Sequence, residues 1–141
     1  MAPELAGTSL QPLSLAVTPT RLLTILVVMI ALHSVVVGLF LVFVTSWGVA
    51  FGGWTNVHPL FFPRQAGVFH FVVAAAYLIE YFRYRGVLLI VTAKSIAVIF
   101  LVDATFRYGG PWAGPLSTAG DAAMAVVVWV VYLKARTTIE H

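Results

Sequence analysis

The chain contains no cysteine. That excludes disulfides, thiolate metal sites, iron–sulfur clusters and thiol redox chemistry, and leaves the compartment open. Charge is almost as scarce. Only 9% of the 141 residues are Asp, Glu, Lys or Arg, where a soluble domain carries about a quarter. Also missing are a Walker loop, a dinucleotide glycine fingerprint, a nucleophile elbow and a His-Glu-x-x-His zinc motif. These absences weigh against the hydrolases and transferases built on such motifs. No internal repeat is visible, so an inverted-repeat transporter has no support.

What is present is apolar. Hydrophobic residues make up 61% of the chain, and the mean hydropathy is +1.00. One small core cannot hide that much apolar surface, so lipid is the expected solvent. The net charge of +3 does not signal nucleic acid. The eight Lys and Arg residues lie scattered at segment ends and form no stripe.

The patterning predicts one membrane domain over residues 1–141, an all-α integral membrane four-helix bundle. Its spans are expected at about 19–47, 63–82, 87–106 and 118–134. Residues 1–18 carry Glu4, Pro3 and Pro12 and no early basic residue, which does not fit a secretory signal. They are expected at the membrane surface or against a partner. Thr18 and Pro19 suit the N-cap and first position of a helix. The stretch from Leu22 to Val44 has no charge and exceeds the ~20 residues that a bilayer core requires. Gly52 and Gly53 should break helix in an aromatic-rich connection with Trp47, Trp54, Phe61 and Phe62.

Arg83-Tyr84-Arg85-Gly86 makes a very short turn, so the second and third spans are expected as antiparallel neighbours, with Gly86 in the left-handed conformation. Thr118 and Asp121 read as a capping box opening the fourth span. Ala74-Ala75-Ala76 and the Ala119/Ala123 spacing would permit close helix approach. Arg21, Arg83, Arg85, Lys134 and Arg136 fall on one side of the spans, and Arg64 and Arg107 on the other. That asymmetry predicts both termini in the cytoplasm and both long loops outside.

Lys94 is the most informative residue, because a mid-span lysine costs about 2.5–3.5 kcal/mol unless paired, hydrated or snorkelling. Counted from the tight turn, Glu80 and Lys94 reach similar depths, so a Glu80–Lys94 ion pair is expected. Such a pair would lock the hairpin, or would serve as a relay or a quinone head-group site. His33 and His70 raise the question of a haem, a pigment or a quinone. On the expected spans their depths differ by about 10 Å, against a bis-histidine haem. Each histidine then serves as an interhelical hydrogen-bonding group or as a ligand contact in a larger assembly. Arg64, Gln65, Asp103, Arg107 and Asp121 are expected to cluster at the outer face, as an anion or head-group site or as salt bridges stapling the loops. No metal site is indicated.

Arg64-Gln65-x-Gly67, Tyr77-Leu78-x-Glu80, the basic turn and Lys94 together resemble small four-helix bacterial membrane proteins of the DoxX-like kind. The similarity covers about a third of the chain, and the first span lacks a matching signature. It implies a four-helix bundle in the bacterial inner (plasma) membrane, sometimes linked to quinone or redox partners. No catalytic residue carries over from it. The expected function is a non-catalytic accessory subunit of a larger respiratory or photosynthetic-type complex. The alternatives are a quinone- or lipid-handling redox protein and, more weakly, a small channel or carrier. No cofactor is firmly implied. The expected partners are the bilayer and other membrane subunits.

Overall fold

The structure is a computed structural model, and it describes residues 18–137. The expected surface segment falls almost wholly outside that range. The described residues form helices and no strand: α1 (Pro19–Phe43), α2 (Thr45–Phe51), α3 (Phe61–Tyr84), α4 (Leu88–Tyr108) and α5 (Ala113–Thr137). Four of them, all but α2, are long and apolar enough to cross a membrane.

Local chemistry sets the helix ends. Thr18 accepts a hydrogen bond from the Arg21 amide at 3.4 Å, and Pro19 occupies the first turn. Proline is tolerated there because the amide it lacks would have no intrahelical acceptor. The same reasoning places Pro63 in the first turn of α3 and Pro115 in that of α5. The fourth span therefore starts at Ala113, earlier than expected, and no capping box forms. Thr118 lies inside the helix and donates to the Gly114 carbonyl at 2.9 Å.

The expected first span is interrupted. Val44 leaves helical geometry (φ −122°, ψ 41°), and α2 continues in a new direction. Thr45 is buried, and its hydroxyl donates to the Leu41 carbonyl at 2.7 Å. Such back-bonding bends helices. Gly52 and Gly53 then end α2, and Gly53 has φ 90°. At the tight turn the left-handed residue is Arg85 (φ 55°) and not Gly86. Gly86 is needed for a different reason, since a Cβ there would stand 2.9 Å from a Glu80 carboxylate oxygen.

The helices pack as two pairs, α1 with α3 and α4 with α5, joined along an α1/α5 seam. The sequential neighbours α3 and α4 meet only sparsely, contrary to the expected antiparallel packing. The tight turn brings their ends together without aligning their faces. The end of the bundle that holds the 85–87 connection is the turn end, and the opposite end is the loop end.

Gly38 of α1 and Gly67 of α3 mark a close crossing of the two backbones. A Cβ on Gly38 would lie 2.8 Å from the Gly67 carbonyl oxygen, and one on Gly67 would lie 2.9 Å from that of Gly38. Without a hydrophobic drive between helices in lipid, such close approach supplies the van der Waals contact that holds them. Ala74 is buried in the expected way, but Ala75, Ala119 and Ala123 are exposed. Ala123 borders the α1/α5 seam without being buried in it. Thr24 and Tyr81 add a hydroxyl–hydroxyl bond of 2.6 Å between α1 and α3.

The core is lopsided. Leu23, Val27, Ile30, Tyr77, Tyr81, Val87, Ile90, Val128 and Ala135 form one buried cluster. All lie in the half of their helix nearer the turn end, except Val87, which caps α4 at that end. Toward the loop end, α4 buries nothing beyond Lys94, and α5 buries only Gly114 before Ala125.

Candidate functional site

Polar groups from all four long helices gather where the apolar core stops. Lys94 is 6% exposed, and its Nζ reaches Asp121 Oδ1 at 2.6 Å. Asp121 is the eighth residue after Ala113, and Lys94 lies fourteen before Tyr108. Measured from the loop end, their Cα atoms therefore sit about 12 Å and 21 Å deep. The lysine extends along α4 toward the loop end, and the aspartate meets it from α5. The pair neutralises both charges away from water and ties α4 to α5.

This corrects the expected Glu80–Lys94 pair. Glu80 instead turns over the connection, and its Oε2 accepts from the Leu89 amide at 2.9 Å. It satisfies a free donor in the first turn of α4, and its negative charge complements the positive end of that helix. Matched depth alone was insufficient, because α3 and α4 do not align their faces.

His70 lies half-buried on the inward face of α3, in register with buried Gly67, Ala74 and Tyr77. Its Nδ1 is buried and has no hydrogen-bond partner. Both histidines stand close enough to Lys94 and Asp121 to feel their charges, and His70 also feels His33. Tyr77, about two turns further along α3, feels Asp121. Tyr77 and Asp121 are the members that sequence reasoning did not place here. The signal for Asp121 was its apolar surroundings, hidden by reading it as a cap.

The depth objection to paired histidines also changes. With α1 ending at Phe43 and α3 starting at Phe61, His33 lies ten residues and His70 nine from the loop end. Their depths agree to about 2 Å. They do not share a face, however. His33 follows Met29 and Ile30 by four and three residues, on the flank of α1 that meets α5. His70 approaches from α3, on the other side of α1. His33 is exposed and His70 half-buried, so the two imidazoles stand in different surroundings.

The expected outer cluster does not assemble. Asp103 and Arg107 make an exposed pair one turn apart on α4, Oδ1 to Nε 2.6 Å. Arg64 instead donates through Nε to the Thr45 hydroxyl at 3.1 Å, fastening α3 to the bend after α1. Gln65 is exposed, and Asp121 belongs to the interior. No group of three or more His, Asp or Glu among the described residues could hold a metal ion. The arrangement supplies hydrogen-bonding groups and a balanced charge pair, with no evident nucleophile.

No family model, curated protein or solved structure matches this chain.

Proposed function

We propose that the protein binds the polar head of a membrane-soluble ligand within the bilayer, at the cluster of His70, Lys94, Asp121 and Tyr77. This is the quinone- or lipid-handling reading. The observation that carries it is the His70 Nδ1, buried without a partner beside an ion pair. A buried polar atom left unsatisfied costs about 1–3 kcal/mol. It persists where something else meets it, and a ligand oxygen is suited to do so. The thin packing toward the loop end favours entry from that side. Ionisable groups within membrane spans are generally functional, and the resemblance to DoxX-like proteins agrees.

The test is retention of a small amphiphile through mild extraction. The wild-type protein should carry one, found by mass spectrometry of the purified sample, and His70→Leu should lose it. An empty wild-type protein, or equal retention in His70→Leu, overturns the reading.

A second reading, the non-catalytic accessory subunit, is favoured by the loop end. Phe40, Trp47, Phe51 and Trp112 form a continuous ring ladder with centroid spacings of 5.5, 5.1 and 5.4 Å. It joins the α1–α2 bend to the start of α5 and is largely exposed. A second membrane subunit could seat on it. Co-purification of a stoichiometric partner, lost on Trp47→Ser with Phe51→Ser, supports this reading. A chain that purifies alone from its native membrane overturns it.

The basic residues at the turn end favour that end facing the cytoplasm, in a bacterial inner membrane. Protease access to the C-terminus in inside-out vesicles alone tests the orientation.

A further inference from the structure

Leu26, Met29 and Ile30 of α1 and Ala123, Met124, Val127 and Val128 of α5 line a groove of about 290 Å³. Its walls are apolar throughout, and its two methionines are flexible, polarisable fillers that adapt to an occupant. One turn nearer the loop end, the same faces change character. His33 follows Met29 by four residues, and Asp121 precedes Met124 by three. His33 is exposed and feels the charges of both Lys94 and Asp121. Beside Asp121, a Cβ added to Gly120 would meet nothing within 4 Å. The seam is therefore apolar at one end, polar at the other, and open at its polar end.

We infer that the α1/α5 groove holds the chain of a single-chain amphiphile whose uncharged, hydrogen-bonding head lies at His33 and Asp121. This goes beyond the ligand-binding reading above, with which it shares only Asp121. The depth of the site decides the head chemistry. His33 lies two residues from Ala31, the midpoint of α1, so the head sits near the bilayer centre. A phosphate or sulfonate there would be desolvated with no free counter-charge, because Lys94 is already neutralised by Asp121. A hydroxyl or carbonyl carries no such cost. A neutral imidazole offers one donor and one acceptor, which can serve either group. The chain then runs from His33 toward the turn end, along Met29 and Leu26.

The experiment uses the full-length protein in phosphatidylcholine vesicles and a long-chain alcohol, hexadecanol, bearing a diazirine in its chain. Irradiation should label the peptides containing Met29 and Met124 or Val127, saturably and in competition with plain hexadecanol. Val127→Trp, at a position 45% exposed and outside the core, should reduce labelling about tenfold by filling the groove. Met29→Trp, at a position 56% exposed, should do the same from the other wall. His33→Leu should weaken saturable binding about tenfold. Hexadecyl sulfonate should fail to compete. Labelling spread evenly over all four long helices, or unchanged by both Trp substitutions, overturns the groove. Competition by the sulfonate at the same concentration overturns the uncharged head. His70→Leu separates the two proposals. If it abolishes labelling while both Trp variants retain it, the interior cluster stands and the groove falls. If no variant changes labelling, both fall.

Discussion

Lys94 and Asp121 are bonded across the α4/α5 seam at 2.6 Å, and neither has the partner that its distance along the chain suggested. Lys94 is 27 residues from Asp121 and only 14 from Glu80. The pair has a specific energetic consequence. Asp121→Asn leaves a buried ammonium without a counter-charge and should cost about 3–5 kcal/mol. Lys94→Met together with Asp121→Asn should recover most of that loss. SDS-induced unfolding of the four variants gives the coupling, and strict additivity would remove the pair from the account.

Glu80→Gln should behave differently from the Asp121 change. Its carboxylate serves one amide at the start of α4 and neutralises no lysine. The expected loss is about 0.5–1 kcal/mol, the worth of a charge at a helix N-terminus. Combined with Lys94→Met, the two effects should add. A large coupling in the same unfolding assay would restore the Glu80–Lys94 contact.

Gly38→Ala and Gly67→Ala should each push α1 and α3 apart. Both Cβ positions fall under 3 Å from the opposing backbone, and backbone cannot rotate away as a side chain can. Overpacking of this kind costs about 1–3 kcal/mol. Gly120→Ala is the control, since its Cβ would enter open space. Its unfolding midpoint should stay at the wild-type value or rise through better helix propensity.

His70→Leu should make the ligand-free protein more stable, by up to about 1–3 kcal/mol, because it removes the unsatisfied buried nitrogen. A substitution that strengthens the fold while abolishing amphiphile retention marks a position shaped by binding. Thermal melting in detergent, with and without added long-chain alcohol, reads both effects. A destabilised His70→Leu protein would mean that the imidazole packs usefully as it stands.

Much of the architecture was legible in the residues. Four charge-poor runs of spanning length, the Thr18–Pro19 start and the Gly52–Gly53 stop all rest on local chemistry that acts over one turn. The failures have a common cause. The expected start of the fourth helix leaves Pro115 outside, although proline is at ease in a first turn. That moves the expected helix start from Ala113 to Thr118 and turns an interior aspartate into a member of a capping box. The bend at Val44 was hidden because its trigger, the Thr45 hydroxyl, looks like any other polar residue at a membrane edge. Packing partners were least accessible. A three-residue turn fixes which helix ends meet, but the faces that follow depend on Gly38, Gly67 and the Lys94–Asp121 pair, which are distant in sequence.

The weak α3/α4 contact bears on how the chain is assembled. Each half, α1 with α3 and α4 with α5, contains its own principal packing partner. A chain severed in the 85–87 connection and co-expressed as two fragments should therefore reassociate in the bilayer along the α1/α5 seam. That seam, with the core residues the two halves share at the turn end, would then be the last surface to close during insertion.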